Sequence, residues 1–204
     1  MADVQESALT KKLTEWLEGA FESVALTRRQ HFSDKPGLRP RAGDIDELIK
    51  SYANQNFVIA GAANLVPGPL GALAIVPEIT LVMRNQIQMI YDLGVAHGKE
   101  AQLNSRLLLA IFATVSGGGA LGIATVKGGQ LIVKRASLRV IQQIIVWLGG
   151  KITQRALRAL LAKWVPLVGA GAMAIWARQT TVAMGREATS LLQKEIIEVA
   201  EARA

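Results

Sequence analysis

Hydrophobic positions recur at helical spacing through most of this chain. Leu9, Leu13, Trp16, Leu17, Phe21 and Val24 share one face of a helix expected over residues 3–26. Residues 28–43 then hold two prolines, two glycines and five Lys or Arg side chains with little apolar content, which reads as a linker or exposed loop. Asp44 followed by Glu47 repeats a helix-capping pattern, and Ile45, Leu48, Ile49 and Tyr52 mark the next helix. From Phe57 to Met83 the only charge is Glu78, but Pro67, Gly68, Pro69, Gly71 and Pro77 interrupt the run. Proline removes a backbone donor and clashes with the preceding turn, so two apolar segments joined by the Pro-Gly-Pro turn are expected, the second a helix from about Pro77 to Gly94 or Gly98.

Leu107 to Val126 is a 20-residue run without charge, the length that crosses a bilayer, although four glycines lie inside it. Residues 131–148 and 151–164 read as helices, 165–177 as a third apolar stretch opened by Pro166, and 182–199 as an amphipathic helix through Ala188, Leu191, Leu192 and Ile196. No strand alternation or fixed-period repeat is read. The expected class is therefore all-α: a multi-helix bundle whose Pro- and Gly-broken apolar helices form membrane-associated hairpins. The expected division is an N-terminal amphipathic helix with its basic loop, 1–43, and a helical membrane-associated domain, 44–204.

Charge sharpens this picture. Between Glu100 and Glu187 there is no acidic residue, yet eleven lysines and arginines fall there, more than the whole chain's net +7. A soluble domain normally intersperses both signs, so a single-sign block points to an anionic and partly apolar partner. The expected partner is anionic lipid. Lys127, Lys134, Arg135, Arg139, Lys151, Arg155, Arg158 and Lys163 are the candidate membrane-binding cations, and Trp164 the candidate interfacial anchor. Lys151, Arg155 and Arg158 lie together on a helical wheel, opposite Leu157, Leu160, Leu161 and Trp164. Nucleic acid would also attract the charge, but no binding module is present and the ten aromatic residues are few among the basic positions. The first residues lack a basic start followed by an apolar run, so the cytoplasmic side is expected, peripheral or partly inserted.

Candidate chemistry is sparse. The chain has no cysteine, which excludes disulfides and thiolate catalysis. Gly117-Gly118-Gly119-Ala120-Leu121-Gly122 matches the dinucleotide fingerprint literally, but no acid for a ribose follows until Glu187, so helix-breaking or close-packing glycines fit better. His31 and His97 have no ligand partner at metal spacing, and no nucleophile elbow occurs. The expectation is a non-enzymatic protein without cofactor or metal. A polar site around Glu78, Gln86 and His97 stays open: Glu78 stands in the first turn of its helix, and Gln86 interrupts an apolar face on which it must find hydrogen-bond partners. Either these groups cap and bridge backbone, or they line a cavity. Arg84, Asn85, Gln88, Tyr91 and Asp92 form the opposite, polar arc.

The stretch Asn64-Leu-Val-Pro-Gly-Pro-Leu-Gly71, with Glu78, Gln86-Ile-Gln-Met-Ile90 and Gly98, resembles the EcsC-like proteins and the related membrane-associated domain that follows GTPase domains in YcjF-like proteins. Trp164-Val-Pro-Leu-Val-Gly-Ala-Gly171, with Thr180, Gly185, Arg186 and Ala188, is similar to the closing motif of the same family, so the likeness spans roughly 50–190. Glu78 replaces a common aspartate, and Gly94 and His97 stand where an alanine and a tyrosine are expected. The resemblance implies a helical, membrane-associated protein without an established catalytic site, found beside transporters or GTPases. The expected function is thus membrane binding or scaffolding, with homo-oligomers and a GTPase or transporter as further partners. The alternative is a soluble helical oligomer with a small-molecule or lipid cavity around Glu78 and Gln86.

Overall fold

The computed structural model describes residues 2–63, 75–163 and 169–199, with side chains over 10–61, 77–154 (Ala120 apart) and 174–199. Among these residues six helices dominate: α1 (Ala2–Asp34), α2 (Ile45–Ala63), α3 (Ile75–Ala96), α4 (Ser105–Ala113), α5 (Leu138–Lys163) and α6 (Gly169–Leu192). Three strands complete the fold, β1 (Ala124–Lys127), β2 (Gln130–Lys134) and β3 (Glu195–Val199). The class is mostly helical, as expected, with a small sheet that the hydrophobic pattern did not lead us to expect.

At the centre lies α4, where every residue from Leu107 to Ala113 is buried. Asn104 caps it, its side-chain oxygen accepting from the Leu107 N–H at 2.9 Å. A helix that is apolar all round is either a bilayer span or the middle of a core, and this one is core. It is too short to span because the chain leaves the α-helix at a π turn, Thr114–Gly118, in which Gly117 adopts φ 90°. A 3-10 turn and Gly122 at φ 66° follow, and the chain enters β1. The 20-residue apolar run is therefore a buried helix, two tight turns and a strand. Among the described residues no helix is long and apolar enough to cross a membrane, which leaves the membrane-hairpin expectation without structural support.

β1 and β2 pair antiparallel, with Lys127 opposite Gln130. The two residues between them, Gly128 and Gly129, have φ 59° and 80°, the left-handed values of the turn that matches strand twist. β2 then pairs parallel with β3, Leu131 facing Ile196, and the crossover between them consists of α5 and α6. Residues 131–134 and 195–199, expected to be helical, are thus in strands.

Packing explains the other departures. α1 runs on to Asp34, seven residues into the expected loop, because Phe32 is buried and Arg28 reaches Asp92. Leu17, Phe21, Val24 and Phe32 join one core with Leu107, Ile111, Leu148 and Leu192, which come from the other side of residue 43. α5 continues through Gly149 and Gly150 where two helices were expected. A Cβ at Gly149 would meet Thr14 Oγ1 at 2.5 Å, so glycine admits α1 at this crossing. The Pro67-Gly68-Pro69 turn lies outside the described residues.

Candidate functional site

α2 and α6 run antiparallel, with Gly61 beside Ala174 and Gly185 beside Ile49. α3 packs against both. A polar layer crosses this three-helix junction, centred on Thr181. Its hydroxyl donates to the Ala177 carbonyl at 2.8 Å and accepts from Asn56 Nδ2 at 2.9 Å and Gln86 Nε2 at 3.3 Å. One donor and two lone pairs are all a hydroxyl has, so Thr181 is saturated. Asn85 Nδ2 donates to Asn56 Oδ1 at 3.1 Å and closes the layer. Gln86 thereby finds a partner on its apolar face, and it is a side-chain hydroxyl rather than broken-helix backbone. Glu78 is buried two turns nearer the start of α3.

His97 is not part of this layer. It follows the end of α3, eleven residues past Gln86 and so about 16 Å along the axis. Its Nε2 is buried without a hydrogen-bond partner, and burial, aided by Lys99, lowers its pKa. Among the described residues no group of three His, Asp or Glu side chains could hold a metal ion. The polar layer is a set of mutually satisfied amides and a hydroxyl, which fixes helix register.

A second buried constellation ties α1, α2 and α3 together. Arg28 grips Asp92 with two hydrogen bonds of 2.8 and 2.6 Å and lies over the Phe32 ring, while Tyr52 OH donates to Asp92 Oδ2 at 2.8 Å. Burial raises the Asp92 carboxyl above its usual range against the opposing pull of Arg28, and burial with the Asp92 charge raises the Tyr52 phenol. Asp92 and Tyr91, assigned to a polar arc, are in the core. Arg28 and Asp92 are 64 positions apart, a separation no periodicity reveals.

The candidate membrane-binding cations divide into three sets. Lys127 stands at the hairpin turn, Lys134 and Arg135 at the end of β2, and Arg139 in the first turn of α5; all four are exposed. Arg135 pairs with Glu198 at 3.5 Å. Exposed apolar side chains lie among them, Val126 at 51% and Leu138 at 72%. Arg106 of α4 and Lys134 line one small crevice of about 20 Å³, floored by Leu109, Ile123, Ile141 and Ile144. Lys151 differs. Its amine turns inward, over the Trp147 ring and onto the Ser116 carbonyl of the π turn, where a cation suits the unpaired carbonyl end of a helix. The headgroup-facing orientation expected of Lys151 is therefore corrected. The side chains of Arg155, Arg158 and Lys163, and Trp164 itself, lie outside the described residues.

A surface that charge reasoning missed sits where α2 ends and α3 and α6 begin. Phe57, Val58, Leu81, Ile175 and Trp176 are all exposed there. Between α2 and α6 runs an open groove of about 320 Å³, lined by Asn54, Phe57, Ile175, Arg178 and Gln179. Comparison with family models, with curated proteins and with solved structures finds no match.

Proposed function

We propose that this chain is a non-enzymatic binding or scaffolding module that docks peripherally on an anionic membrane surface on the cytoplasmic side. One observation carries the reading. The sheet end of the molecule presents Lys127, Lys134 and Arg139, with no ion pair among the described residues, interleaved with exposed Val126 and Leu138. Cations beside exposed apolar side chains suit the boundary between headgroups and acyl chains. The resemblance to EcsC-like proteins supports the same reading, with a GTPase or transporter as a second partner. Peripheral docking needs no spanning helix.

The alternative, a cavity around Glu78 and Gln86, has less support, because the Gln86 layer is satisfied from within and the groove nearby is lined by other residues. A basic side chain close to an anionic surface contributes about 1 kcal/mol. Replacing Lys127, Lys134 and Arg139 together by Gln is thus expected to weaken sedimentation with phosphatidylglycerol vesicles roughly a hundredfold. Lys151→Gln should leave it unchanged, since that amine faces protein. Unaltered binding of the triple variant, or no binding of the parent protein at low salt, would sink the reading.

A further inference from the structure

The exposed apolar side chains of α2, α3 and α6 are arranged in a layer. Phe57 and Val58 lie six and five residues before the end of α2 at Ala63; Leu81 lies six after the start of α3 at Ile75; Ile175 and Trp176 lie six and seven after the start of α6 at Gly169. Gly61 lies beside Ala174 and Asn85 reaches Asn56, so all five stand toward one end of the three-helix junction. Val58 is 64% exposed and Leu81 51%. Arg84 and Arg178 stand one turn deeper than Leu81 and Ile175 on their own helices, and the Asn85–Asn56 hydrogen bond puts Arg84 level with Phe57. Arg178 Nε donates to Asn54 Oδ1 at 3.1 Å, which holds the guanidinium at that level.

Charge is equally ordered. Over 54–63, 75–84 and 169–180 the charged residues are Glu78, Arg84 and Arg178, and Glu78 is buried. An apolar tip that includes Trp176, backed one turn deeper by arginines and an amide and free of exposed acid on these helices, matches the profile of a bilayer surface, where acyl chains give way to phosphates. A second copy of this chain fits less well, because a two-fold contact across the groove would bring like guanidinium groups together.

We infer that this end of the bundle is a hydrophobic docking tip that enters the headgroup and acyl boundary of a phospholipid bilayer, with Arg84 and Arg178 at the phosphates. The inference rests on the membrane reading above and assigns the apolar contact to a surface separate from the basic sheet end. From Trp176 to Leu192, next to β3, is sixteen residues of α6, about 24 Å.

The absence of cysteine allows single-site labelling. Val58→Cys and Ile175→Cys, with Lys50→Cys at the far end of α2 as reference, are to be coupled to an environment-sensitive fluorophore and mixed with phosphatidylcholine vesicles with and without phosphatidylglycerol. Labels at 58 and 175 are expected to shift to the blue and to be quenched by nitroxide-bearing lipid, while the label at 50 reports water. Val58→Ser with Leu81→Ser, which removes only exposed apolar groups, should lower binding to phosphatidylcholine at high salt without changing the melting temperature. Labels at 58 and 175 that stay in water on sedimented protein would overturn the inference and leave membrane binding standing. Failure of every vesicle to sediment the protein would remove both. Emission at 58 that shifts with protein concentration in the absence of lipid, together with a dimer in light scattering, would assign the tip to a second copy and overturn the inference.

Discussion

Asp92 is held on both carboxylate oxygens, by Arg28 across the α1–α3 contact and by Tyr52 from α2. Removing one partner of a buried pair leaves the other charge uncompensated, so Arg28→Ala is expected to cost about 3 kcal/mol in urea unfolding. Tyr52→Phe deletes one hydrogen bond and leaves the ion pair, a loss of about 1 kcal/mol. Equal effects would mean that the two contacts are not separable. His97 gives a dependence on pH whose sign can be worked out. Its folded pKa lies below the unfolded value of 6.5, because burial disfavours the imidazolium. The unfolded state therefore binds the proton more readily, and stability present above pH 6.5 is lost as the pH falls through the folded value. Melting temperature should drop on acidification across this window, and His97→Gln should flatten that part of the profile. The Asp92 site was not legible in sequence: a helical wheel sorts Asp92 by residue type, and its burial is tied to an arginine 64 positions away.

Helices α2 and α6 approach closely at Gly185, where a Cβ would stand 2.9 Å from Ile49 Cγ1. Ile49 is itself buried, so it cannot swing into solvent. Gly185→Val is expected to cost about 1–3 kcal/mol by overpacking, and Ile49→Ala about 2–5 kcal/mol by leaving a cavity. The double variant, checked by thermal unfolding, should lose less than the sum. Additive losses would refute the contact. At this scale much was readable: the starts of α2 and α3 follow from Asp44 and Pro77, and periodicity found the buried stripe of α1. The sheet was missed although it had a signal. Thr125-Val126-Lys127 and Gln130-Leu131-Ile132-Val133 flank Gly128-Gly129 with β-branched residues, which is a hairpin pattern. Long runs of apolar residues on both sides masked it, and α4 looked like a span because core and bilayer select the same side chains. The strand character of 195–199 depends on a parallel partner 65 positions away, and no local pattern announces it.

On the scale of the whole molecule, the described part of the basic block includes exposed cations around the sheet, one inward lysine and Arg178 at the apolar tip, toward the opposite end of α6. Attraction between exposed cations and anionic lipid is screened within roughly 8–10 Å at physiological salt, whereas apolar contact is not. Vesicle sedimentation should accordingly fall steeply with salt and level off at a residual that the tip supplies. Complete loss at high salt would mean that charge alone holds the protein. The parallel pairing of β2 with β3 bears on synthesis as well. Residues 135–194, which include all of α5 and α6, must leave the ribosome before β3 can reach its place. Through that interval the hairpin offers one unpaired edge of Leu131, Ile132 and Val133, a short segment of the kind that recruits strands from other chains. Lys134 and Arg135 stand immediately beside it, and charges at a strand edge oppose such pairing. The same two residues would thus guard the nascent chain against aggregation before β3 covers the edge.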